Sequence, residues 1–273
     1  MSTPISPPLS STAPALDLDS RRPPRWGGFN LTALRLEVRR FTRNRRTLIF
    51  AVVMPVVPFL LFGANSAFVH ERDGLGNVSA FIMISIALYG AVLATTAGGA
   101  MVSIERAAGW SRQLRLTPLS PVAYIVIKVL AAMVLGLVSV VIVFAVARAT
   151  GKPHMPVDTW IYTGLAVWVG SLLFAAFGLF LGYILPTENV MQFLGIILGL
   201  LSFGSGLFIP LTSFPKTVQT IARGAPLYGL NQLVHAPLLN QGVHLAWVAN
   251  VLIWLILFGG GAIWLFRRDT ARV

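Results

Sequence analysis

Six apolar stretches, residues 47–69, 78–102, 121–148, 160–185, 190–209 and 245–266, constrain this chain more than any other feature. Each reaches the ~20 residues that a helix needs to cross a hydrocarbon core of ~30 Å. Hydrocarbon offers the backbone no hydrogen-bond partner, so runs of this length without strand alternation are read as helices. The expectation is an all-α integral membrane protein with six transmembrane helices and both termini on one side. Composition agrees, with 56% of residues hydrophobic and 11% charged, against about a quarter charged in soluble domains.

The formal net charge of +12 raises the question of nucleic acid. However, the Lys and Arg residues lie mainly at the ends of apolar stretches, where anionic lipid headgroups meet them, so no nucleic-acid partner is expected. The segments before the first stretch, between the second and third, and after the sixth hold nine, three and three Arg; the alternate segments hold five Lys or Arg in all. This asymmetry predicts cytoplasmic N- and C-termini in a multi-pass cell-membrane protein. Residues 1–46 lack the apolar core of a signal peptide, so the first stretch is expected to remain as an uncleaved span.

The chain divides accordingly. Residues 1–28, rich in Pro, Ser and Thr, are expected to form a disordered cytoplasmic tail. In residues 29–46, Leu31, Leu34, Val38 and Phe41 recur at helical spacing while Arg35, Arg39, Arg43 and Arg46 follow the opposite side. That pattern predicts an amphipathic helix in the cytoplasmic headgroup layer, with a merely solvated charged helix as the alternative. Residues 47–268 form the six-span domain, and 269–273 a short cytoplasmic tail. Pro55 and Pro58 are expected to kink the first span, because each removes a helical hydrogen bond. The segment 210–244, broken by Pro210, Pro215, Pro226 and Pro237, predicts one or two short outer-leaflet helices beginning near Ser213 or Phe214. Gly178 with Gly182, Gly195 with Gly199, Gly204 with Gly206, and Gly259 to Gly261 permit close helix contact, within the chain or at a seam between two chains.

Motifs for chemistry are missing. The chain has no cysteine, which excludes disulfides, thiolate metal sites and a cysteine nucleophile. His70-Glu71 is not followed by the second histidine of a zinc-peptidase helix, and His154, His235 and His244 fall in separate segments. Gly151-Lys152 runs into Pro153 without the glycine pattern of a phosphate-binding loop. An ion-coupled carrier needs a titratable group at mid-membrane; Glu105 and Glu188 fall at the ends of stretches. Lys128, two turns into the third stretch, is expected to extend its stem to the headgroups, or else to line a substrate path. The chain reads as a path-forming body whose energy must come from a partner.

One polar island remains, residues 104–121, carrying Glu105, Arg106, Arg112 and Arg115 between two spans. Glu105-Arg106, Gly109-Trp110 and Leu114-Arg115-Leu116-Thr117-Pro118-Leu119-Ser120, followed later by Ser205-Gly206-Leu207-Phe208-Ile209-Pro210, Phe214-Pro215 and Ala225-Pro226-Leu227-Tyr228, resemble the two signature segments of ABC-2 type transporter permeases. The resemblance implies the membrane subunit of a bacterial ATP-driven exporter. It implies a separate ATPase subunit that holds the ATP and Mg, with no cofactor in this chain, and a second permease chain, identical or paralogous. It further implies a coupling helix docking on the ATPase through Glu105, Arg106, Gly109, Trp110, Arg112, Leu114 and Arg115, ended by Thr117 and Pro118. Trp110 is an anchor or an interfacial belt residue. An interface helix carrying Arg35, Arg39 and Arg43, and an outer gate at Gly206, Pro210, Phe214, Pro215 and Pro226, complete the expectation. The implied cargo is a lipophilic compound, whether drug, antibiotic or lipid-like. The alternatives are a self-contained carrier or membrane enzyme, and a non-transporting scaffold.

Overall fold

The computed structural model describes residues 25–43, 45–109, 119–185 and 190–271. Among these residues the sole sheet is one short antiparallel hairpin, Arg72–Asp73 (β1) with Gly76–Asn77 (β2), and the rest is mostly helix. The helices are Leu31–Arg43 (α1), Arg45–Pro58 (α2), Val78–Ala100 (α3), Val102–Ala107 (α4), Pro121–Thr150 (α5), Val157–Gly170 (α6), Leu172–Ile184 (α7), Val190–Gly204 (α8), Lys216–Gly224 (α9), Pro226–His235 (α10) and Leu245–Ala271 (α11).

Local chemistry sets their ends. The Asn77 side chain accepts from the Ala80 amide at the start of α3, and the Ser120 hydroxyl accepts from the Ala123 amide at the start of α5. Each satisfies a donor that the first turn leaves orphaned. Gly151, at φ 62°, closes α5 in the left-handed conformation that glycine adopts without strain. Asn77 also donates to the Val69 and Lys152 carbonyls, so the turn at 66–69 and the α5–α6 connection are held to the head of α3.

Among the described residues, four helical segments are long and apolar enough to cross a membrane: Val78–Ala107, Val122–Thr150, Val157–Ile184 and Leu245–Arg268. The third is α6 and α7 joined through Ser171, and the first is α3 continued into α4. The other two expected spans are represented among the described residues by shorter apolar helices, Val53–Gly63 and Gln192–Gly204. In the first, the chain widens after Pro58 into a π-helical turn, Phe59–Gly63, closed by the Ala64 amide on the Phe59 carbonyl at 2.9 Å. In the second, the helix ends at Gly204 and the chain reverses at Gly206, whose φ is 80°. The expected tail at 1–28 falls almost entirely outside the described residues. The segment after Pro210 does form two short helices, α9 and α10.

Helix α3 is the axis, with Met83, Ile84 and Leu88 fully buried. Helix α7 approaches it closely, because glycines remove the side chains between the two backbones. A Cβ on Gly178 would stand 2.1 Å from the Thr96 carbonyl oxygen, and one on Gly99 would stand 2.5 Å from that of Ala175. The Gly178/Gly182 spacing therefore serves packing within the chain. Nothing lies within 4 Å of where Gly195, Gly199, Gly204, Gly259 or Gly260 would place a Cβ. Buried hydroxyls bond back to their own helices, as Thr96 does to the Val92 carbonyl at 2.6 Å and Ser202 to Leu198 at 2.7 Å. Each such bond pairs a donor that water does not reach; the buried Ser139 hydroxyl has no partner among the described residues. Ile196, Leu200, Ile253, Ile256 and Trp264 face outward, as the hydrocarbon-facing surface of a membrane protein requires.

Helix α1 lies against the bundle. Its stripe of Leu34, Val38 and Phe41 packs on Ala94 and Met101 of the α3 end and on Ala131 and Leu135 of α5. Phe41 is buried, whereas Leu31 and Leu36 are exposed. The stripe that the periodicity marks thus meets apolar surface of the protein's own helices.

Gly178→Ala is expected to lower the stability of the purified protein by about 1–3 kcal/mol through overpacking, while Gly195→Ala leaves it unchanged. Thermal unfolding in detergent, followed by size-exclusion fluorescence, reads both.

Candidate functional site

The charged end of the bundle is built on Glu105. Helix α4 continues α3 past Met101 and carries this carboxylate inward, where it is only 4% exposed. Its Oε1 accepts from Arg40 Nη1 of α1 and from Lys128 Nζ of α5, each at 2.5 Å. Its Oε2 accepts from the Tyr124 hydroxyl at 2.6 Å. Glu37 of α1 also pairs with Lys128, and stands 3.6 Å from Arg40. Helical spacing explains the convergence: Glu37 and Arg40 lie one turn apart on α1, and Tyr124 and Lys128 one turn apart on α5. Two carboxylates thus balance two cations, and the Lys128 ammonium also lies 5.4 Å from the Tyr124 ring centre.

Arg106, the next residue, reaches the opposite neighbour. Its Nη1 donates to the Tyr183 carbonyl at 2.9 Å and to that of Gly182 at 3.3 Å, and its guanidinium lies over the Tyr183 ring. These are last-turn carbonyls of α7, where a cation satisfies orphan acceptors and favours the helix dipole. Phe266 of α11 packs against both Tyr124 and Tyr183. The short helix α4 is therefore clamped by side chains to α1, α5 and α7. The Ser120 amide, donating to the Gly27 carbonyl at 2.7 Å, ties the turn before α1 to the start of α5.

Two expectations change here. Lys128 does not extend to the headgroups: its side chain is 3% exposed and ion-paired inside the bundle. Glu105 has its carboxylate turned inward rather than toward an external partner. A buried unpaired ammonium costs several kcal/mol, so pairing prevails over extension. Glu37, Arg40 and Tyr124 were missed in the sequence. The available signal was Glu37 itself, the one acidic residue within the Arg-rich stretch of α1.

Gly109 follows α4 at φ 75°, a left-handed turn with open space around it. Trp110, Arg112, Leu114, Arg115, Thr117 and Pro118 lie outside the described residues. Arg35, Arg39 and Arg43 are exposed on α1. At the other end of α3, Gly206 and Pro210 border a cavity, Phe214 and Pro215 lead into α9, and buried Pro226 opens α10. His235, buried at the end of α10, was also missed. Its Nδ1 lies 2.9 Å from the Asn231 carbonyl and its Nε2 3.1 Å from the Ser85 hydroxyl. Burial pushes its pKa down to about 4, so the ring is neutral.

A sequence model, that of the ABC-2 type transporter family, matches residues 30–238, which span all of these helices except α11. The chain belongs to the ABC-2 type transporter family. It is also similar to YvfS of Bacillus subtilis (strain 168), a protein named as a transport permease. The two are 25% identical over 194 residues, covering 70% of this chain and 78% of that one. In this permease, then, the charged island between the second and third apolar stretches opens with a helix whose carboxylate is locked into the membrane bundle.

Glu105→Ala leaves Lys128 and Arg40 with Glu37 as their one shared carboxylate and is expected to destabilise the permease by about 3–5 kcal/mol. Glu105→Leu with Lys128→Met leaves Glu37 and Arg40 to pair with each other and is expected to recover most of that loss. A double-mutant cycle on thermal stability measures the difference.

Proposed function

We propose that this permease is the membrane-spanning subunit of an ATP-driven exporter, with its termini in the cytoplasm and its cargo a lipophilic compound. ATP and Mg belong to a separate ATPase subunit, which docks on the island 104–121 beside α1, and a second permease chain completes the path through the bilayer. The observation that carries this reading is the sharing of the Glu105 carboxylate between Arg40 and Lys128. A segment that receives a push from a soluble partner passes it on only if it is stiffly joined to the spans. Helix α4 is joined to three of them or their neighbours by bonds that are buried or charge-assisted, and such bonds are the strong ones. Glu105 and Arg106 are thereby anchors of the docking segment, and external contact falls to Trp110, Arg112 and Arg115. The exposed Arg35, Arg39 and Arg43 on α1 supply a cationic face next to it. The outer gate is assigned to the turn at Gly206 and Pro210 with α9 and α10 beneath it.

The test is co-expression with a candidate ATPase and reconstitution into vesicles, using doxorubicin as the lipophilic probe. Trp110→Ala with Arg112→Ala is expected to abolish co-purification of the ATPase. Glu105→Leu with Lys128→Met is expected to retain it, and ATP hydrolysis with it, while export falls at least tenfold, equivalent to about 1.4 kcal/mol of lost coupling. Export by the permease alone, without nucleotide, would contradict the proposal and favour a self-contained carrier.

A further inference from the structure

At the end of α3 opposite the ion network, α9, α10 and the turn 206–212 enclose a half-open cavity of about 310 Å³ against Phe81, which is at the lower bound of ligand-sized sites. Asn231, 4% exposed, lines it. Its Nδ2 donates to the Ser205 carbonyl at 3.3 Å, and its Oδ1 is buried without a hydrogen-bond partner among the described residues. A flipped amide would set two oxygens 3.3 Å apart, so the unsatisfied atom is an acceptor. Leaving it unmatched is costly, and it calls for a donor from outside. His235 does not supply one. Its Nδ1–H is spent on the Asn231 carbonyl, and its Nε2 accepts from Ser85.

The rest of the lining narrows the ligand. Arg223 borders the cavity and forms no ion pair among the described residues, and no Asp or Glu lines the site. Gln232 and Tyr228 add neutral polar groups beside it. Outside the cavity, Val218 and Ile221 of α9 and Phe208 are exposed, so this end of the molecule carries apolar surface that an acyl tail can cover. The walls are held in place from α11, where the Asn250 side chain bonds the Arg223 carbonyl and the Gly229 amide and the Trp254 indole donates to the Gly224 carbonyl.

We propose that this cavity binds the anionic, hydroxyl-bearing head of an amphiphile, the chemistry of phosphatidylglycerol. A phosphate meets Arg223, a glycerol hydroxyl donates to Asn231 Oδ1, and the chains leave through the open side of the cavity. This goes beyond the transport reading and does not depend on an ATPase. The full-length protein, purified alone in phosphatidylcholine nanodiscs, is titrated with dihexanoyl phosphatidylglycerol, dihexanoyl phosphatidylcholine and glycerol 1-phosphate, with bound molecules counted by native mass spectrometry. Saturable binding of the phosphatidylglycerol is expected, at least tenfold tighter than that of either control. Arg223→Gln, an exposed position that leaves the fold intact, is expected to weaken it about tenfold, and Asn231→Ala to weaken it as well. Equal binding of the two lipids, or indifference to both substitutions, would overturn the proposal. Glycerol 1-phosphate binding as tightly as the lipid would overturn the amphiphile and point to a soluble phosphate ester.

Discussion

The permease depends on one carboxylate placed where hydrocarbon physics would otherwise forbid it. Glu105 is held inside the bundle because each of its oxygens is satisfied, by Arg40 and Lys128 on one side and Tyr124 on the other. Without Glu105, the Lys128 ammonium loses a 2.5 Å partner in the interior of α5. Without Lys128, the carboxylates of Glu37 and Glu105 share only Arg40, whose side chain is half exposed. Buried ionic groups add specificity more reliably than stability. Here the specificity is positional: one short helix after α3 is fixed relative to α1 and α5.

The apolar part of the fold serves the same end. Helices α3 and α7 approach closely enough that only glycine fits at positions 99 and 178, and α1 lays its stripe across α3 and α5. Tight packing gives the bundle rigid struts, and the ion network fastens the connection between two of them. Opposite this end, the chain reverses at Gly206 and lays α9 and α10 over the head of α3, where the polar cavity sits. A single long helix, α3 with its extension α4, therefore runs from a polar cavity at one end to a charged hub at the other.

Much of this was legible in the sequence because it depends on local period and length. The long apolar stretches, the Leu34, Val38 and Phe41 stripe, the short helices after Pro210 and the close-packing Gly178 and Gly182 all follow from patterns within about one helix. Pairings across the sequence were not legible. Lys128 reads identically whether its stem runs to the headgroups or ends on a carboxylate 23 residues earlier, and only tertiary packing separates the two. The α1 stripe reads the same against lipid as against Ala94 and Ala131. His235 and Asn231 lack a motif altogether, and their role emerges once α10 is folded against Ser85 and Ser205. The widened turn after Pro58 and the reversal at Gly206 are backbone features that a hydropathy pattern does not register.

The ion network makes α4 move as one body with α5. The chain contains no cysteine, so Ala108→Cys and Val126→Cys place spin labels on the end of α4 and on the exposed side of α5. Electron–electron resonance then gives the distance between them in the ATPase complex, with and without trapped ATP. A single narrow distribution common to both states, which broadens when Glu105→Leu and Lys128→Met are added, is the result the ion network requires. A distance that changes with nucleotide, or one indifferent to loss of the Glu105–Lys128 pair, would contradict it.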